Sequence, residues 1–485
     1  MPSANDQRFA IAILAAGKGT RLKSKLPKVI HQIGGRPLLG HVIVAASKVV
    51  APKDIFCVIG HEADRVRKTV ESYGTGFVEQ REQRGTGHAL MQCREVLDRY
   101  DHVLVLSGDV PLIRTETIAA VRDFHLRKHA DMTILTAESP DPFGYGRIVR
   151  CVVNGKATDE VEAIVEQKQL TPEQAAVREI NSGIYAFDVK ELFARLDRLT
   201  TDNPHGEFYL TDIARILQSD GRKVLAVRAE DSNEVLGINT RRELAILDDM
   251  LRTRKTSELM NNGVTIYRPE TVMIDADVTV GTDTVIEPFV QLLGKTSVGA
   301  DCTIRSYSVI TNTKVGDRVL IKHGCVMEDS EVRNAAILGP YSHLRPASQI
   351  GEGAHVGNFV EIKKTKLGKG SKANHLTYLG DAEIGEGVNI GAGTITCNYD
   401  GVNKFGTIIE DGVFIGSDTT LIAPIKIGKD AYIGAASCIS KDIPADGLGL
   451  TRPELVIKEK WASGKREKMR LLKQSKVEGR KPEEK

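Results

Sequence analysis

The sequence has few of the residues that would define a disulfide-stabilised protein. Only seven of its 485 residues are cysteine, they are scattered, and none forms a Cys-x-x-Cys pair. An odd number of isolated thiols argues against a disulfide framework and against a zinc site built from cysteine pairs. Reduced thiols in a cytoplasm are the expectation. Aromatic residues make up only 5% of the chain, with a single tryptophan, Trp461.

Long hydrophobic runs and an excess of one charge are also missing. No apolar stretch approaches the ~18 residues that a membrane-spanning helix needs. The opening segment lacks the basic flank and the cleavage site of a signal peptide. The 66 lysines and arginines almost balance the 64 acidic residues, for a net charge of +2, which gives no bulk attraction for nucleic acid. We therefore expect a cytoplasmic protein with no membrane and no nucleic-acid partner.

Glycine, by contrast, is abundant and periodic in the C-terminal half. From about residue 264 to 444 an aliphatic residue followed by glycine recurs, as in Val298-Gly299, Val315-Gly316 and Ile350-Gly351, with many glycines near multiples of six residues apart. Such hexapeptide repeats wind three short parallel strands per coil, with the aliphatic residue inside and a small residue at the turn. About 180 residues at about 18 per coil predict a β-solenoid of about ten coils.

The N-terminal half has short apolar runs that alternate with helix-like stretches. The first run, residues 9–16, meets the glycine-rich turn 17–21. Further strand-like runs are Ile55 to Ile59, Val103 to Leu106, Met132 to Leu135 and Val224 to Val227. Alternating strands and helices predict a mostly parallel α/β sheet covered on both faces, with ligands beyond the carboxyl ends of the strands.

A helical arm is predicted between the halves, because residues 241–262 carry leucines that repeat on one helical face among charges. The sequence Asn261-Asn262-Gly263 is expected to end it. The domains expected are residues 1–240, a linker helix over 241–262, and a hexapeptide domain over 263–485. From Lys458 onward the chain has 11 basic against 5 acidic residues. This tail is either a solvated end or a basic edge that meets phosphates.

The glycine-rich turn indicates a phosphate site. Glycines after a strand let backbone N–H groups approach phosphate oxygens, and Lys18, Arg21 and Lys28 add positive charge. The spacing matches neither the Walker pattern nor a dinucleotide fingerprint, which argues against a P-loop nucleotidase or a dehydrogenase. Asp109 follows the apolar run 104–106, where a carboxylate can hold Mg²⁺ against phosphate oxygens or cap a helix.

Together these residues resemble the sugar-1-phosphate nucleotidyltransferases. With the hexapeptide half, the whole chain resembles the family of bifunctional N-acetylglucosamine-1-phosphate uridylyltransferases and glucosamine-1-phosphate N-acetyltransferases. Long matching strings are residues 85–89, 144–147, 179–183, 375–381 and 389–401. The resemblance implies an N-terminal Rossmann-like nucleotidyltransferase domain, a helical linker arm and a C-terminal left-handed parallel β-helix of hexapeptide repeats. It also implies a homotrimer.

The implied reactions are acetylation of glucosamine-1-phosphate by acetyl-CoA, followed by uridylyl transfer from UTP to N-acetylglucosamine-1-phosphate. Mg²⁺ is the implied cofactor and acetyl-CoA the co-substrate. The products are UDP-N-acetylglucosamine and pyrophosphate, which would feed peptidoglycan and lipopolysaccharide synthesis. Because the sugar phosphate is already an anion, it can attack the α-phosphate in line without a strong protein base, so positioning and charge neutralisation carry the catalysis.

Carried over position by position, the resemblance assigns the uridylyltransferase site. The implied nucleotide and UDP-sugar contacts are Leu14, Ala15, Gly17, Gly19, Lys28, Gln80, Gly85, Thr86, Gly146, Glu166, Asn181 and Asn239. By the same resemblance Gln80, Gly85 and Thr86 would contact uracil, and Gly146, Glu166 and Asn181 would hold the N-acetylglucosamine phosphate. Arg21 and Lys28 would act on the phosphates, and Asp109 and Asn239 would bind Mg²⁺. Ser107 departs from the family, which often has an aromatic residue before the Gly-Asp pair, and this affects only the nucleoside contact.

The acetyltransferase site needs a general base, because an amino sugar is largely protonated near neutral pH. His375 matches the base of the family, and the backbone N–H of Ala392 would receive the oxyanion. The implied ligands of glucosamine-1-phosphate are Arg345, Lys363, Tyr378 and Asn389. Those of acetyl-CoA are Ala392, Asn398, Tyr399, Ser417, Ala435 and Arg452. Neighbouring chains complete these sites in the family. The spacing from Gly391 to Gly416 misses a multiple of six, which indicates an inserted loop.

Two other function classes are weighed against this one. A single-function sugar-1-phosphate nucleotidyltransferase with a scaffolding hexapeptide domain would lack the string around His375 and the loop at Asn398-Tyr399, and both are present. A purely structural hexapeptide scaffold leaves the glycine-rich turn, Lys28 and Asp109 unexplained. The sequence therefore favours the bifunctional enzyme.

Overall fold

The computed structural model describes residues 7–203, 205–452 and 454–477, and the chain divides into two compact units, Met1–Asp317 and Arg318–Lys485. Part of the predicted basic tail, residues 478–485, lies outside the described residues. Within the described residues, no helix combines the length and the apolar character that crossing a bilayer would require.

The first unit contains a central nine-stranded sheet and a small hairpin. Their strands are β1 (Phe9–Ala15), β2 (Gln32–Ile33), β3 (Arg36–Pro37), β4 (Ile55–Ile59), β5 (Gly76–Glu79), β6 (His102–Ser107), β7 (Met132–Glu138), β8 (Arg147–Val153), β9 (Lys156–Val165), β10 (Glu179–Asp188) and β11 (Val224–Arg228). The order in the sheet is β5-β4-β1-β6-β10-β7-β11-β9-β8. The first predicted strand is β1, and the four other apolar runs predicted as strands lie in β4, β6, β7 and β11.

The sheet is mixed, which the alternation of strands and helices did not predict. β5, β4, β1 and β6 are parallel, but β10 runs antiparallel to both β6 and β7. β9 likewise pairs antiparallel with β8 and β11. A parallel neighbour needs a crossover connection, whereas an antiparallel one does not, so the apolar pattern alone does not fix the direction of a strand.

Helices cover both faces of this sheet, as predicted. They are α1 (Leu38–Ala46), α2 (Ala63–Val70), α3 (Thr86–Met91), α4 (Arg94–Leu97), α5 (Thr115–Lys128), α6 (Pro172–Ala175), α7 (Val189–Leu196), α8 (Asp212–Ser219) and α9 (Arg241–Asn261), with short 3-10 turns at Thr20–Leu22, Lys28–Ile30, Pro52–Asp54, Glu71–Tyr73, Gln167–Gln169, Ser232–Val235 and Pro269–Thr271. Alternate residues of β1 pack into the hydrophobic cores on opposite faces of the sheet. Ala10 and Ala12 pack into one core, and Ile11 and Ile13 pack into the other. This two-residue period is what a sheet buried on both sides requires.

The helical arm is α9, and it begins with a capping box. The Thr240 hydroxyl accepts a hydrogen bond from the Glu243 N–H (3.2 Å), while the Glu243 carboxylate accepts one from the Thr240 N–H (2.9 Å). Such reciprocal bonds satisfy N–H groups that the first turn of a helix leaves unpaired. Leu247 and Leu259 bury the inner face, and the helix ends at Asn261, where the Asn-Asn-Gly sequence predicted its end.

Three solenoid coils follow in the first unit. Their strands are β12 (Thr265–Ile266), β13 (Met273–Ile274), β14 (Thr279–Val280), β15 (Val285–Ile286), β16 (Gln291–Leu293), β17 (Ser297–Val298), β18 (Thr303–Ile304), β19 (Val309–Thr311) and β20 (Lys314–Val315). Every third strand pairs in parallel, so β12, β15 and β18 form one face of a three-sided coil. The aliphatic residue of each hexad points inward: Ile286, Leu292 and Ile304 are fully buried.

The second unit consists of further coils and a C-terminal helix. Its elements are β21 (Leu320–Ile321), β22 (Val326–Glu328), β23 (Glu331–Val332), β24 (Ile337–Leu338), β25 (His343–Leu344), β26 (Gln349–Ile350), β27 (His355–Asn358), β28 (Glu361–Lys363), β29 (Lys366–Leu367), β30 (Lys372–His375), β31 (Tyr378–Gly380), β32 (Ala382–Ile384), β33 (Asn389–Ile390), β34 (Ile395–Cys397), β35 (Thr407–Ile409), β36 (Phe414–Ile415), β37 (Thr420–Ile422), β38 (Ile425–Ile427), β39 (Tyr432–Ile433), β40 (Cys438–Ile439), β41 (Leu448–Gly449) and α10 (Trp461–Val477). The parallel pairing with every third strand confirms the predicted hexapeptide solenoid.

Glycine at the coil corners is required by how closely successive coils approach. A Cβ at Gly368 would collide with the backbone carbonyl of Gly385 in the next coil, whereas one at Gly406 would lie an ordinary 3.6 Å from the Asp381 carbonyl oxygen. The corner at Gly368 therefore admits no side chain without displacing the next coil.

We predict that Gly368→Ala destabilises the second unit, whereas Gly406→Ala leaves it nearly unchanged. Overpacking of this kind costs about 1–3 kcal/mol. Denaturant unfolding followed by circular dichroism measures the difference. Equal midpoints for the two variants would contradict the proposed corner packing.

A buried pair of histidines, His102 and His125, is expected to make the first unit less stable in acid. His125 of α5 contacts the Thr133 hydroxyl (2.9 Å) and the ring of His102 (3.2 Å). Burial lowers the pKa of His125 from 6.5 to about 3, and burial also lowers the pKa of His102. Well above pH 6.5 the rings are neutral in both the folded and the unfolded chain. Below that pH the unfolded chain takes up protons that the folded chain refuses, so folding becomes less favourable.

We therefore expect the free energy of unfolding of the first unit to fall as the pH drops from 6.5 toward 3. Urea titrations from neutral to mildly acidic pH measure the slope. His125→Gln should make the slope shallower, because the unfolded chain then has one histidine fewer that takes up a proton on unfolding. His205→Gln, at an exposed position, serves as the control. A slope that is the same in wild type and His125→Gln would exclude this pair as its cause.

Candidate active sites

The first site lies at the carboxyl end of β1 and β6, the edge that the glycine-rich turn predicted. The two strands are parallel neighbours, with Leu14 opposite Ser107. Just beyond this pair, the Gly108 N–H donates to the Leu14 carbonyl (2.9 Å). Leu14, Ala15 and Asp109 therefore reach the same edge, as ligand residues of an open α/β sheet do.

Four predicted residues form one charged cluster at this edge. The Lys28 ammonium forms an ion pair with Asp109 and donates to the Asn239 side-chain oxygen (2.8 Å). Arg21 donates to the same Asn239 oxygen (2.7 Å). The Lys28 side chain is only 12% exposed and that of Asp109 25%, so solvent screens their interaction weakly. Two cations against one carboxylate leave a net positive charge for phosphate oxygens.

The glycine-rich turn is shaped around Lys28. Gly19 has φ 62°, in the left-handed region, and a Cβ there would lie 2.5 Å from the Cβ of Lys28. A larger residue would therefore be strained and would push Lys28 away. A Cβ at Gly17 would have no heavy atom within 4 Å, so the backbone of this part of the turn is open to a ligand.

Asn239 is held in place by the start of the arm helix. Its backbone N–H donates to the Glu243 carboxylate (2.6 Å), the same group that completes the capping box with Thr240. A carboxylate at the first turn is also favoured by the helix dipole. The first turn of α9 thus fixes the residue that contacts both Arg21 and Lys28.

The residues predicted to contact uracil lie where β5 leads into α3. The buried Gln80 side chain donates to the Gly85 carbonyl (3.0 Å) and contacts the His88 ring (3.0 Å). The Thr86 hydroxyl accepts from the Leu210 N–H (3.1 Å). These bonds tie the three predicted residues into one rigid segment, because Gly85 precedes the first residue of α3.

The residues predicted to hold the sugar phosphate also meet. The Asn181 N–H donates to the Gly146 carbonyl (2.9 Å), and a Cβ at Gly146 would lie 3.5 Å from a Glu166 carboxylate oxygen. The Asn181 amide donates to the buried Tyr185 hydroxyl (2.9 Å), which orients it. Burial, and secondarily the charge of Asp212, raise the pKa of Glu166.

The oxygen atoms of Asp109 and Asn239 fit a divalent cation. Both converge on the Lys28 ammonium, so one cation can already contact the two oxygens at once. Within the described ranges no group of three or more His, Cys, Asp or Glu side chains could hold a metal. Two protein oxygens completed by phosphate oxygens and water are the arrangement that Mg²⁺ prefers.

The second site centres on His375 at the end of β30. Its ring is exposed, and Nδ1 lies 3.0 Å from the side-chain oxygen of Asn358, one coil earlier. The His375 carbonyl accepts from the Thr377 hydroxyl (2.7 Å). The backbone and one ring nitrogen are thus fixed, and Nε2 faces away from Asn358.

The predicted sugar-phosphate residues Arg345, Lys363 and Tyr378 lie on one face of three successive coils, with Tyr378 opposite Glu361 and Gly380 opposite Lys363. Lys363 is 3.7 Å from the Asp381 carboxylate, which also accepts a hydrogen bond from the Asn398 amide. The Tyr378 hydroxyl and the Asn398 amide lie together over Gly380. Arg345 forms an ion pair with Glu361 (2.9 Å).

The predicted acetyl-CoA residues Ala392, Ser417 and Ala435 stack at one corner of three successive coils. The Ala392 carbonyl accepts from the Asp418 N–H (2.7 Å), and the Ser417 carbonyl from the Ala436 N–H (2.8 Å). Within the described part of the chain, no side-chain hydrogen bond joins Asn389, Tyr399 or Arg452 to the other predicted residues of this site. Tyr399 lies 58% exposed on the inserted loop, where it pairs with Lys404 across the loop.

Four residues of these clusters were given no role from the sequence: Glu243, Asn358, Glu361 and Asp381. Glu243 had a usable signal, since Thr240 and Glu243 have the spacing of a capping box. Asn358, Glu361 and Asp381 contact residues of a neighbouring coil. Their partners can be identified only when the register between the coils is known.

Comparison with known proteins decides the family. A model of the MobA-like NTP transferase domain matches residues 11–209, and a model of the bacterial transferase hexapeptide (six repeats) matches residues 277–312. The bifunctional protein GlmU of Koribacter versatilis is 66% identical over 461 residues, covering 95% of this chain and 98% of that protein. The chain belongs to the GlmU family. GlmU of Solibacter usitatus is 46% identical (95% and 98% covered), and that of Streptococcus agalactiae 45% (93% and 97%).

Family membership confirms the resemblance drawn from the motifs. The chain is a bifunctional transferase with a uridylyltransferase and an acetyltransferase activity, and its match extends over nearly the full length of its GlmU relatives. The alternative of a single-function enzyme with a scaffolding prism does not fit a GlmU chain.

We predict that Glu243→Ala lowers uridylyl transfer about tenfold without affecting acetyl transfer, because Asn239 loses the carboxylate that fixes its backbone. A hydrogen bond to a charged group contributes about 1.5–3 kcal/mol, and the loss of such a bond is enough for a change of this size. Glu243→Gln, which can still accept a hydrogen bond, should retain most of the activity. Glu258→Ala, near the other end of α9, is the matched control. Wild-type uridylyl transfer in Glu243→Ala would exclude this role.

Proposed function

We propose that the uridylyl transfer of this GlmU-family enzyme takes place at the cluster of Arg21, Lys28, Asp109 and Asn239. The observation that carries the proposal is the convergence of these four side chains at the carboxyl end of β1 and β6. The attacking sugar phosphate and the α-phosphate of UTP are both anionic, so the enzyme must offset their repulsion. Lys28 and Arg21 would donate to phosphate oxygens, and the turn from Gly17 to Gly19 would add backbone N–H groups.

Asp109 and Asn239 would hold the Mg²⁺ of this reaction. When bound, the ion would neutralise charge on the phosphate oxygens and help to orient them. Lys28 contacts both side chains in the described structure, so phosphate oxygens would take the place of Asp109 as its anionic partner.

The two flanking groups would select the substrates. Gln80, Gly85 and Thr86 would contact uracil, because the hydrogen bonds of Gln80 and Thr86 hold the backbone around Gly85 as one rigid edge. Gly146, Glu166 and Asn181 would hold N-acetylglucosamine-1-phosphate, with Gly146 leaving room beside the Glu166 carboxyl.

Acetyl transfer would take place around His375. The amine of glucosamine-1-phosphate attacks the thioester carbonyl of acetyl-CoA, His375 removes the proton from the amine, and the coenzyme A thiolate leaves and is protonated. Arg345, Lys363, Tyr378 and Asn389 would bind the sugar phosphate. Ala392 would donate its N–H to the oxyanion, and Asn398, Tyr399, Ser417, Ala435 and Arg452 would bind acetyl-CoA.

Arg452 and Tyr399 are exposed in the chain described here. Their roles require a second surface, which a neighbouring subunit of a homotrimer would supply. We place the enzyme in the cytoplasm, where UTP and acetyl-CoA are made.

Two separate assays test these assignments. One follows thiol release from acetyl-CoA with glucosamine-1-phosphate, and the other follows pyrophosphate release from UTP and N-acetylglucosamine-1-phosphate. Asp109→Asn should lower pyrophosphate release by about 100-fold or more, as loss of a group that stabilises transition-state charge does. His375→Gln should lower thiol release by about 10²–10⁴-fold, the contribution of a general base.

Each variant should keep the other activity, and Asp123→Asn on the surface should keep both. Removal of divalent metal with EDTA should abolish pyrophosphate release and leave thiol release intact. Loss of both activities in a folded Asp109→Asn enzyme, or thiol release that depends on metal, would contradict the two-site assignment.

A further inference from the structure

We propose that Asn358 is a positioning residue that fixes the imidazole of His375. Its side-chain oxygen accepts the Nδ1–H of His375, so that Nε2 carries the lone pair that takes the proton from the substrate amine. The inference rests on the proposed role of His375 as the general base, and the experiment below separates the two.

The backbone brings these residues face to face. On this face of the prism the strands β21, β24, β33 and β36 span two residues each, but β27 and β30 each extend to four. The extension ends with Asn358 directly opposite His375. The Leu376 N–H donates to the Asn358 carbonyl (3.1 Å), which locks the register at this point.

Gly357 permits this extension. A Cβ at Gly357 would collide with the backbone carbonyl of Asn374, the residue before His375. The two strands can therefore run on side by side only because position 357 has no side chain. Glycine at position 357 is therefore needed for the four-residue length of β27 and β30, whereas the two-residue strands of this face end before the equivalent position.

The side-chain contact selects one form of the ring. Neutral imidazole carries its proton on either nitrogen, and an exposed ring can also rotate, so most orientations would present the wrong atom. His375 is exposed, and Nδ1 lies 3.0 Å from the Asn358 oxygen. A hydrogen bond to an acceptor at Nδ1 favours the proton there and leaves Nε2 to accept. Asparagine does this without adding a charge beside the ring.

Three substitutions in the full-length enzyme test the inference. Asn358→Leu removes the acceptor and keeps a side chain of similar size. Asn358→Asp keeps an acceptor and adds a negative charge. Gln349→Leu, an exposed amide on the preceding strand β26, is the matched control. Thiol release is measured as a function of pH on both sides of neutrality, and ¹⁵N nuclear magnetic resonance of labelled histidine reports which ring nitrogen of His375 is protonated.

Asn358→Leu should lower kcat of thiol release about 10–100-fold, the usual effect of losing a group that orients a functional imidazole, and the Nδ1–H form should no longer dominate. Asn358→Asp should keep kcat within a few-fold. Its acid limb should move to higher pH, because a neighbouring carboxylate raises the pKa of a histidine. Gln349→Leu should match the wild type, and pyrophosphate release should be unchanged in all three variants.

The inference is overturned if Asn358→Leu keeps wild-type thiol release and an unchanged protonation pattern while His375→Gln is inactive. In that case His375 is the base but needs no partner. If His375→Gln itself keeps thiol release, the assignment of the base fails instead. A loss of thiol release in Asn358→Leu with an unchanged protonation pattern of His375 would also overturn the proposal, since the loss would then be structural.

Discussion

The hexapeptide domain depends on one interaction, the backbone hydrogen bond from an N–H of one coil to a carbonyl of the next. Examples are Tyr378 to Thr394 (3.1 Å) and Gly385 to Ile409 (2.8 Å). Because this ladder repeats at every coil, equivalent positions of successive coils stand in columns, and side chains on one column become neighbours. The contact between Asn358 and His375 arises in this way, as does the stacking of Ala392, Ser417 and Ala435.

The nucleotidyltransferase sheet also brings side chains that are distant in sequence into contact, but it does so without a repeat. Parallel strands bring their carboxyl ends to one edge, and chain segments far apart in sequence supply one side chain each. Lys28, Asp109 and Asn239 lie within contact distance although more than two hundred residues separate the first from the last. Long-range neighbours of this kind have no period in the sequence, which distinguishes this site from the columns of the solenoid.

This difference explains how much the sequence could predict. Periodic features were predictable: the hexapeptide coils, the strands β1, β4, β6, β7 and β11, and the arm helix with its end at Asn261. The site residues could be proposed only by resemblance, because the distances among them depend on the fold. The antiparallel direction of β10 and the pairing of Asn358 with His375 depend on strand direction and register. The alternation of buried and exposed side chains aligns Val356 with Ala373, but it does not show that β27 and β30 continue side by side as far as Asn358 and His375.

The inserted loop shows what lengths this architecture accepts. Asn389 pairs with Lys372 in the coil before it and with Phe414 in the coil after it, and the second interval is clearly the longer one. The additional residues form a loop between Cys397 and Thr407 that projects from the prism. In this loop the Asp400 carboxylate accepts hydrogen bonds from the N–H groups of Val402 (2.8 Å) and Asn403 (2.6 Å). A turn can absorb a single residue, since Leu320 pairs with Ile337 and Ile337 pairs with His355 although the second interval is one residue longer. A larger excess leaves the coil as an outward loop. Kept within a turn, it would displace the later coils and separate the columns that the chemistry of this domain uses.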